Sequence, residues 1–284
     1  MAFDFAAAEK RVVAEKVRTV KPLAAIVLGP SSSGKSFLMG TLGVKTLYLH
    51  TSGEEHGPDS AKLSADSDIF DIEFDRDPAT GKPLGNDAAY KQLLEILSNR
   101  AWVVKMGFKA VAVDGATELE SLIRGTGAFT TECLSKEGNH NGFAEPAATL
   151  KLLRPMMTLL RGLGRNLSMH YMVSCLLDIK KLAKNGEILE SEPNLLGYKV
   201  ASTYLPQFPD QIVVGRMVDP DGNEMHRLQF SAGVSKSSVD NKTKAVKKFS
   251  NFSPRLRGVD SNNLPTHMKA DLKAVLKLKQ DGKL

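Results

Sequence analysis

The feature that most constrains this chain is an apolar run followed at once by a glycine-rich loop and a lysine. Residues 23–28 read LAAIVL, and the next eight residues read GPSSSGKS. The apolar residues Phe37, Leu38, Met39 and Leu42 follow at helical spacing. A strand, a loop of the pattern G-x-x-x-x-G-K-[ST] and a helix are the parts of a phosphate loop. The segment therefore predicts a nucleotide-binding α/β fold, although a serine- and glycine-rich turn has a similar composition.

Each part of this loop has a role in holding phosphate. Glycines at both ends allow the dihedral angles that direct several backbone N–H groups at one anion. We expect Lys35 on the β- and γ-phosphates and the Ser36 hydroxyl on Mg²⁺. The helix that opens at Gly34 directs its positive end at the same phosphates. The predicted cofactor-binding residues are Gly29, Pro30, Ser31, Ser32, Ser33, Gly34, Lys35, Ser36 and Phe37.

Size and composition are those of a globular protein without a membrane helix. The 284 residues suffice for one large α/β domain or a domain with small appendages, and a hydrophobic content of 42% is ordinary. Apolar runs stay well below the roughly 20 residues of a membrane helix, and the start MAFDF lacks the layout of a signal peptide. We therefore expect a cytoplasmic protein. Cys133 and Cys175 stand apart, which predicts buried thiols and argues against a disulfide or zinc site.

Basic charge is concentrated near the C-terminus. The net charge is +6, and residues 231–284 contain 12 Lys and Arg against 4 Asp and Glu, a balance of +8. The other 230 residues contain 26 basic and 28 acidic side chains, a balance of −2. Such asymmetry is typical of a surface that faces nucleic acid, and a lysine-rich solvated helix produces the same count.

Two stretches supply carboxylates near the expected phosphates. Glu54 and Glu55 follow the strand KTLYLHT. Because parallel strands carry their chemistry at their carboxyl ends, either acid could orient or deprotonate an attacking water, or both could belong to a solvated turn. The strand KAVAVD ends in Asp114, where an acid is expected to hold a metal-bound water or the Ser36 hydroxyl, a helix N-cap being the alternative. The predicted catalytic residues are Glu54, Glu55 and Asp114, and the predicted metal-site residues are Ser36 and Asp114.

The remaining periodicities complete the order of elements. Apolar spacing predicts a core-facing helix that begins at Asn86 as its N-cap, and a turn Asp-Pro-Asp-Gly predicts a hairpin. Residues 66–85 are expected to form a surface insertion with a short strand over 69–74. Helices are predicted over residues 3–20, 86–100, 117–123 and 147–163, a strand over 166–178, and the hairpin over 211–215 and 224–230.

Taken in order, these motifs resemble the RecA-like P-loop ATPases. More closely, the chain is similar to the small phage-encoded RecA-like nucleotide-binding proteins of single-strand annealing and recombination. The resemblance covers roughly residues 23–258 and rests on GPSSSGKS, KTLYLHTSGEE, AVAVDGATELE, LPQFPDQIVVGRM with its hairpin, and KKFSNFSPRLRG. It implies an α/β fold with a RecA-like core, in which helices flank a mostly parallel central sheet that ends in a C-terminal β-hairpin.

The resemblance also implies an organisation and a function. Residues 1–20 would form an N-terminal helix or oligomerisation arm, 21–258 the ATP-binding core, and 259–284 a basic C-terminal helix or tail. Two F-x-x-A patterns, at Phe3 and Phe5, are similar to the segment by which RecA-type recombinases dock subunits. The implied protein binds and hydrolyses ATP with Mg²⁺, binds single-stranded DNA in phage recombination or replication, works in the host cytoplasm, and forms homo-oligomers with ATP between subunits. Basic residues that would reach a neighbour's nucleotide are Lys247, Lys248, Arg255 and Arg257.

Two departures from the family pattern matter. Thr51 and Ser52 stand where the family has its catalytic glutamate, and Ser174 and Cys175 stand where a glutamine or histidine couples nucleotide to DNA. Nucleotide binding is therefore better supported than fast hydrolysis. The alternatives are a P-loop ATPase of another class, such as a helicase, loader or packaging motor, and a nucleotide-binding regulatory or structural protein with little turnover.

Two regions after the third and fourth core strands are candidates for single-stranded DNA binding. Aromatic side chains would stack on bases, and lysines would contact phosphates. The alternative is that both regions are surface loops and that the aromatic side chains belong to a subunit contact. Residues 125–145 offer Phe129, Phe143 and Lys136, and residues 180–205 offer Lys180, Lys181, Lys184 and Tyr198.

Overall fold

A mostly parallel central sheet organises the fold. The computed structural model describes residues 22–54, 56–65, 67–195, 197–239, 246–249 and 253–281. The parallel strands are β1 (Ala24–Gly29), β2 (Lys45–His50), β3 (Asp68–Glu73), β4 (Ala110–Val113), β5 (His170–Leu182) and β7 (Asp210–Val218). They lie side by side in the order β3-β2-β4-β5-β1-β7. The predicted α/β fold with a mostly parallel sheet is confirmed.

Antiparallel strands extend this sheet. On the β7 side, β8 (Glu224–Gln229) pairs with β7, and β11 (His267–Lys269) pairs with β8. The β7–β8 pair is the predicted hairpin, and Asp219 closes its turn by accepting hydrogen bonds from the backbone N–H groups of Asp221 and Asn223. On the other side of β1, β6 (Ile188–Pro193) pairs with β5. A separate two-stranded sheet is formed by β9 (Lys236–Val239) and β10 (Val246–Phe249).

Helices cover both faces of the sheet. Ile26 and Leu28 of β1 face one hydrophobic core, whereas Ala25 and Val27 face the other, which explains why β1 reads as an uninterrupted apolar run. The first core is covered by α3 (Asn86–Ser98), α4 (Arg100–Lys105), α5 (Ala116–Arg124), α6 (Gly127–Glu132), α7 (Glu145–Leu167) and α8 (Gly197–Tyr204). The second core is covered by α1 (Lys35–Gly40), α2 (His56–Lys62) and α9 (Leu272–Gln280).

Several segments differ from their predicted form. The short strand predicted over 69–74 is present as β3, which extends the central sheet as an edge strand paired with β2, a pairing that was not predicted. Asn86 is the first residue of α3, and Gly85 takes the N-cap position. Residues 125–145 contain α6, and residues 180–205 continue β5 into an antiparallel β5–β6 arm. In the last two segments, polar residues form hydrogen bonds close by in the chain, through the Thr126 cap of α6 and the pairing of β5 with β6.

A buried ion pair closes the amino end of the sheet. Asp210, at the start of β7, is fully buried. Its carboxylate accepts hydrogen bonds from the Ala24 and Arg257 backbone N–H groups at 2.8 and 2.7 Å and from Lys279 Nζ at 2.7 Å. The basic C-terminal helix α9 is thus tied to the sheet by Lys279, and Leu272 and Val275 are buried in the second core.

We expect His170 to make folding stability depend on pH. Its Nδ1 accepts a hydrogen bond from the Leu23 N–H at 3.0 Å, and burial, with a smaller contribution from Lys279, lowers the His170 pKa to about 4 although Asp210 opposes this. The unfolded chain, with an ordinary histidine pKa of about 6.5, binds the proton first. Stability is therefore complete above pH 6.5 and falls as the pH drops towards 4, by about 2 kcal/mol between pH 7.5 and 5.

Urea unfolding of the parental chain and of His170→Asn at pH 7.5 and 5 measures this effect. Asparagine retains a hydrogen-bond acceptor but does not titrate, so the loss of stability at pH 5 should shrink by that amount. An equal loss in both proteins would show that His170 does not carry the pH dependence.

Candidate nucleotide-binding site

The loop between β1 and α1 is shaped by glycine. Gly34, at the N-cap of α1, has φ 87°, and Ser32 has φ 58°, both in the left-handed region. Gly29 permits close packing, since a Cβ there would lie 2.4 Å from Ser33 Oγ and 2.5 Å from the Val214 carbonyl oxygen. A side chain at either glycine would displace the loop or strain it.

The loop forms one wall of a cleft of about 700 Å³ at the carboxyl ends of the parallel strands. Predicted residues 31–37 line it, whereas Gly29 and Pro30 lie behind the wall and present their carbonyl groups to Lys35. Residues from α2, β5 and β8 and from the segments that follow β2, α2 and β4 complete the cleft. The lining residues are Ser31, Ser32, Ser33, Gly34, Lys35, Ser36, Phe37, Gly53, Glu54, Ser60, Leu63, Asp114, Leu176 and His226.

Lys35 places a poorly hydrated positive charge in the cleft. Its Nζ donates to the carbonyl oxygens of Gly29 at 3.1 Å and Pro30 at 2.8 Å. Burial lowers the Lys35 pKa, and the carboxylates of Asp114 and Glu54 act against that effect. Because both hydrogen-bond partners are neutral, an anion entering the cleft would stabilise the charged form of Lys35.

Asp114 lies immediately after β4 and is held by three hydroxyl groups. Ser36 Oγ donates to Asp114 Oδ2 at 2.7 Å, and the Tyr48 hydroxyl donates to the same oxygen. The Ser174 hydroxyl donates to Asp114 Oδ1 and accepts from the Gly115 N–H at 2.7 Å. These partners come from α1, β2 and β5, so the aspartate, only 3% exposed, has a fixed orientation towards Ser36. Burial and the negative charge of Asp114 raise the pKa of Tyr48, which keeps its proton on the phenol.

The predicted acids have different outcomes. Glu54 lines the cleft from the short 3₁₀ turn Ser52–Glu54 that follows β2. Burial, followed by repulsion from Asp114 and Glu118, raises its pKa to about 6, with Lys35 opposing. Glu118, on α5, lies close to Glu54, and the two side chains meet at Gly115. A Cβ on Gly115 would lie 3.2 Å from Glu118 Cβ and 3.4 Å from Glu54 Oε1. Glu55 lies outside the described residues.

Three residues of the site carry roles that the sequence did not reveal. Tyr48 and Ser174 orient Asp114. His226 of β8 contacts the loop at Gly34, where a Cβ would lie 2.9 Å from His226 Nδ1. Within the described part of the chain, that nitrogen is buried without a hydrogen-bond partner. The alternation of polar Thr46, Tyr48 and His50 along β2 was a signal for Tyr48, whereas the local sequence around His226 carries none.

These residues fit a nucleotide bound with a cation. Three features suit an anionic group that approaches the backbone closely. Lys35 has neutral hydrogen-bond partners, the buried Ser33 Oγ has no hydrogen-bond partner among the described residues, and glycine lines the wall. The described residues include no cluster of three or more His, Cys, Asp or Glu that could hold a metal ion by itself. One hydroxyl and one carboxylate are nevertheless enough for Mg²⁺, which takes most of its ligands from phosphates and water.

The structure separates the candidate DNA-binding residues into accessible and inaccessible groups. Phe129 is 4% exposed in the first core, which rules it out for base stacking, whereas Phe143 is 97% exposed. Exposed lysines of the two regions are Lys136, Lys180, Lys181 and Lys184. The side chains of Tyr198, Lys247 and Lys248 and the F-x-x-A patterns lie outside the described part of the chain.

Arg257 lies far from this chain's own cleft. Its side chain hydrogen-bonds the Pro22 carbonyl at the opposite end of β1, and the Arg255 backbone pairs with Gln211 of β7. Both cysteines are buried, as predicted.

No family model matches the sequence, and no curated protein matches it. Across the described residues, no helix combines the length and the apolar character needed to cross a bilayer.

Proposed function

We propose that the chain binds ATP with Mg²⁺ in this cleft and hydrolyses it. The observation that carries the proposal is the 2.7 Å hydrogen bond between Ser36 and Asp114, residues 78 positions apart, beside the partly desolvated Lys35. A serine- and glycine-rich turn without function has no need for a buried aspartate at that hydroxyl.

Each residue has a defined task in this proposal. The backbone N–H groups of residues 31–36 and the Lys35 ammonium bind phosphate oxygens. Ser36 and Asp114 hold the Mg²⁺ site, where the bound ion supplies charge neutralisation of the phosphates. Tyr48 and Ser174 keep the Asp114 carboxylate aimed at Ser36. Glu54 accepts the proton of the attacking water.

We expect turnover to rise about tenfold between pH 5 and pH 7, because a base with a pKa of about 6 is mostly protonated at the lower pH. Glu54→Gln should slow turnover by about 100-fold and abolish that pH dependence. Glu118→Gln is the matched control. It removes a neighbouring negative charge, so the midpoint should move to lower pH while turnover is kept. Parental turnover in Glu54→Gln would transfer the base role to Glu55, Glu118 or Glu120.

An alternative is a nucleotide-binding regulatory protein with little turnover. Ser52 follows β2 where the resembling family has its catalytic glutamate, and its N–H and hydroxyl are both held by Asp75, at 2.9 and 2.6 Å. Steady-state turnover at saturating ATP separates the alternatives, provided that ATP affinity has first been measured by titration with a fluorescent ATP analogue.

The wider biological role that we propose is DNA binding in phage recombination or replication by a RecA-like homo-oligomer with ATP between subunits. This role is supported by two kinds of exposed side chain. Lysines are exposed on the β5–β6 arm, and Phe143 is exposed in the segment between β4 and β5. ATP turnover and particle mass, each measured with and without single-stranded DNA, test this role. DNA-independent turnover by a monomer would contradict it, and strand separation or translocation would indicate a motor or helicase.

We expect the triple variant Lys180→Ala, Lys181→Ala, Lys184→Ala to bind single-stranded DNA more weakly and to flatten the salt dependence, with ATP affinity unchanged. Each lost phosphate contact should reduce the slope of log affinity against log salt by about 0.7. Exposed lysines outside the arm, changed together as Lys82→Ala, Lys91→Ala, Lys105→Ala, provide a control of equal charge. An unchanged affinity and slope in the first variant would exclude the arm and favour residues 242–257.

A further inference from the structure

A second concave site lies at the end of the sheet opposite the phosphate loop. It is a cavity of about 420 Å³ bounded by Ala24 at the start of β1 and Tyr171 near the start of β5. The phosphate loop follows the other end of β1, which at about 3.3 Å per residue is roughly 17 Å away. The two sites are therefore separate. The lining residues are Pro22, Ala24, Arg161, Gly164, Arg165, Tyr171, Pro206, Gln207, Pro209 and Arg257.

The charged side chains among the described lining residues of this cavity are all positive. Arg161 and Arg165 lie one turn apart on α7, Arg257 comes from the segment after β10, and none of the described lining residues is acidic. All three arginines are exposed, so a solute can reach them. The neighbouring carboxylate, Asp210, is already satisfied by Lys279 and two backbone N–H groups. It is fully buried and does not line the cavity, so it is not exposed there to a solute.

Hydrogen bonds hold two of the guanidinium groups in place with neutral partners. Arg161 Nη2 donates to Gln207 Oε1 at 2.7 Å, and Arg257 Nη2 donates to the Pro22 carbonyl at 3.0 Å. A guanidinium has five N–H donors in a planar fork, so these bonds fix its position and leave donors for a ligand. Burial raises the pKa of Tyr171, Arg161 and Arg257 act against that rise, and Asp210 adds to it.

The other walls suit a compact organic group. Pro22, Pro206, Pro209 and the ring of Tyr171 provide rigid apolar surface beside the arginines. The volume falls within the usual range for small-ligand sites, roughly 300–1,000 Å³. Three guanidinium groups match the several oxygens of a phosphate dianion better than one carboxylate. We propose that this cavity binds a phosphomonoester, with Arg161, Arg165 and Arg257 on the phosphate and the proline–tyrosine wall against the attached group.

A phosphomonoester has two sources in this setting, a free nucleoside monophosphate and the 5′-phosphate end of a DNA strand. The experiment uses full-length Lys35→Ala protein, in which the phosphate-loop cleft is disabled, and titrates it calorimetrically with AMP and inorganic phosphate. Two further titrations use a short single-stranded oligonucleotide with and without a 5′-phosphate. Stronger binding of AMP identifies the free nucleotide as the ligand. Stronger binding of the oligonucleotide only when it is 5′-phosphorylated identifies the strand end.

The double variant Arg161→Gln, Arg257→Gln in the same background should weaken the phosphomonoester by about tenfold or more, because charge-assisted hydrogen bonds are lost. The Arg257 backbone N–H that Asp210 accepts is retained, so the fold should persist, and the thermal midpoint checks this. Arg154→Gln, an exposed arginine of α7 that does not line the cavity, is the matched control and should bind like the background protein. Binding that is undetectable for every ligand, or equal in the double variant and the control, would overturn the site. Neither result depends on ATP hydrolysis in the cleft.

Discussion

Lys35→Ala should weaken ATP binding by about 100-fold or more, the loss expected when a partly desolvated ammonium is removed from several phosphate oxygens. The effect is large because Lys35 lies in the cleft and, among the described residues, donates hydrogen bonds to the neutral carbonyl groups of Gly29 and Pro30 alone, which leaves its charge for the ligand. Titration with a fluorescent ATP analogue in the presence of Mg²⁺ measures the change.

The fold should survive this substitution. The ammonium itself lies in the cleft, where water can replace it at the two carbonyl groups, so we expect the unfolding free energy to change by about 1 kcal/mol or less. Lys91→Ala, which removes a lysine that is 77% exposed on α3, should retain parental ATP affinity. Parental affinity in Lys35→Ala would refute the assignment of the phosphate loop.

Asp114→Asn should reduce Mg²⁺-dependent turnover by about 100-fold while changing ATP affinity only by a small factor. Asparagine keeps the shape of the side chain, and the hydroxyl groups of Ser36 and Ser174 can rotate to accept from the new amide. The negative charge at the Ser36 hydroxyl is lost, and with it the electrostatic support for a cation. Single-turnover hydrolysis at saturating ATP, measured over a range of Mg²⁺ concentrations, isolates this step.

Tyr48→Phe is the matched control for Asp114, because it removes one hydrogen bond to the carboxylate and preserves its charge. We expect turnover to fall by about tenfold, the lower end of the roughly 1.5–3 kcal/mol that one hydrogen bond to a charged group contributes. If Asp114→Asn and Tyr48→Phe reduced turnover equally, the network would act by orienting Ser36, and the charge of Asp114 would have no separate role. Parental turnover in Asp114→Asn would remove it from the site.

Much of the site could be predicted because its parts are local. The phosphate loop depends on glycines whose dihedral angles few other residues adopt, and Gly34 has such an angle. Asp114 was recognisable because it ends an uninterrupted apolar strand. The hairpin was recognisable because Asp219 and Gly222 form its turn.

The errors arise where a polar or glycine-rich composition suggested an exposed loop. Phe129 looked available in a glycine- and threonine-rich segment, but the Thr126 side chain caps α6 by accepting from the Phe129 N–H and turns the ring into the core. The acidic stretch before Gly85 was predicted as a surface insertion with a short strand, and that strand, β3, pairs along the whole of β2 at the edge of the sheet. A backbone pairing partner outweighed polar composition in one case, and a single cap did so in the other.

The sequence by itself determined the apolar strands, the phosphate loop between β1 and α1 and the acid after β4, because the backbone geometry and burial of each are written in a few consecutive residues. Only the tertiary structure decided which side chains surround them. Placing β5 between β1 and β4 brings Ser174 to Asp114, and folding β8 back along β7 sets His226 over Gly34. The cavity of Arg161, Arg165 and Arg257 likewise exists only after α7 and the C-terminal segment meet at the amino end of β1. Strand order depends on long-range packing and loop closure, which no local pattern encodes.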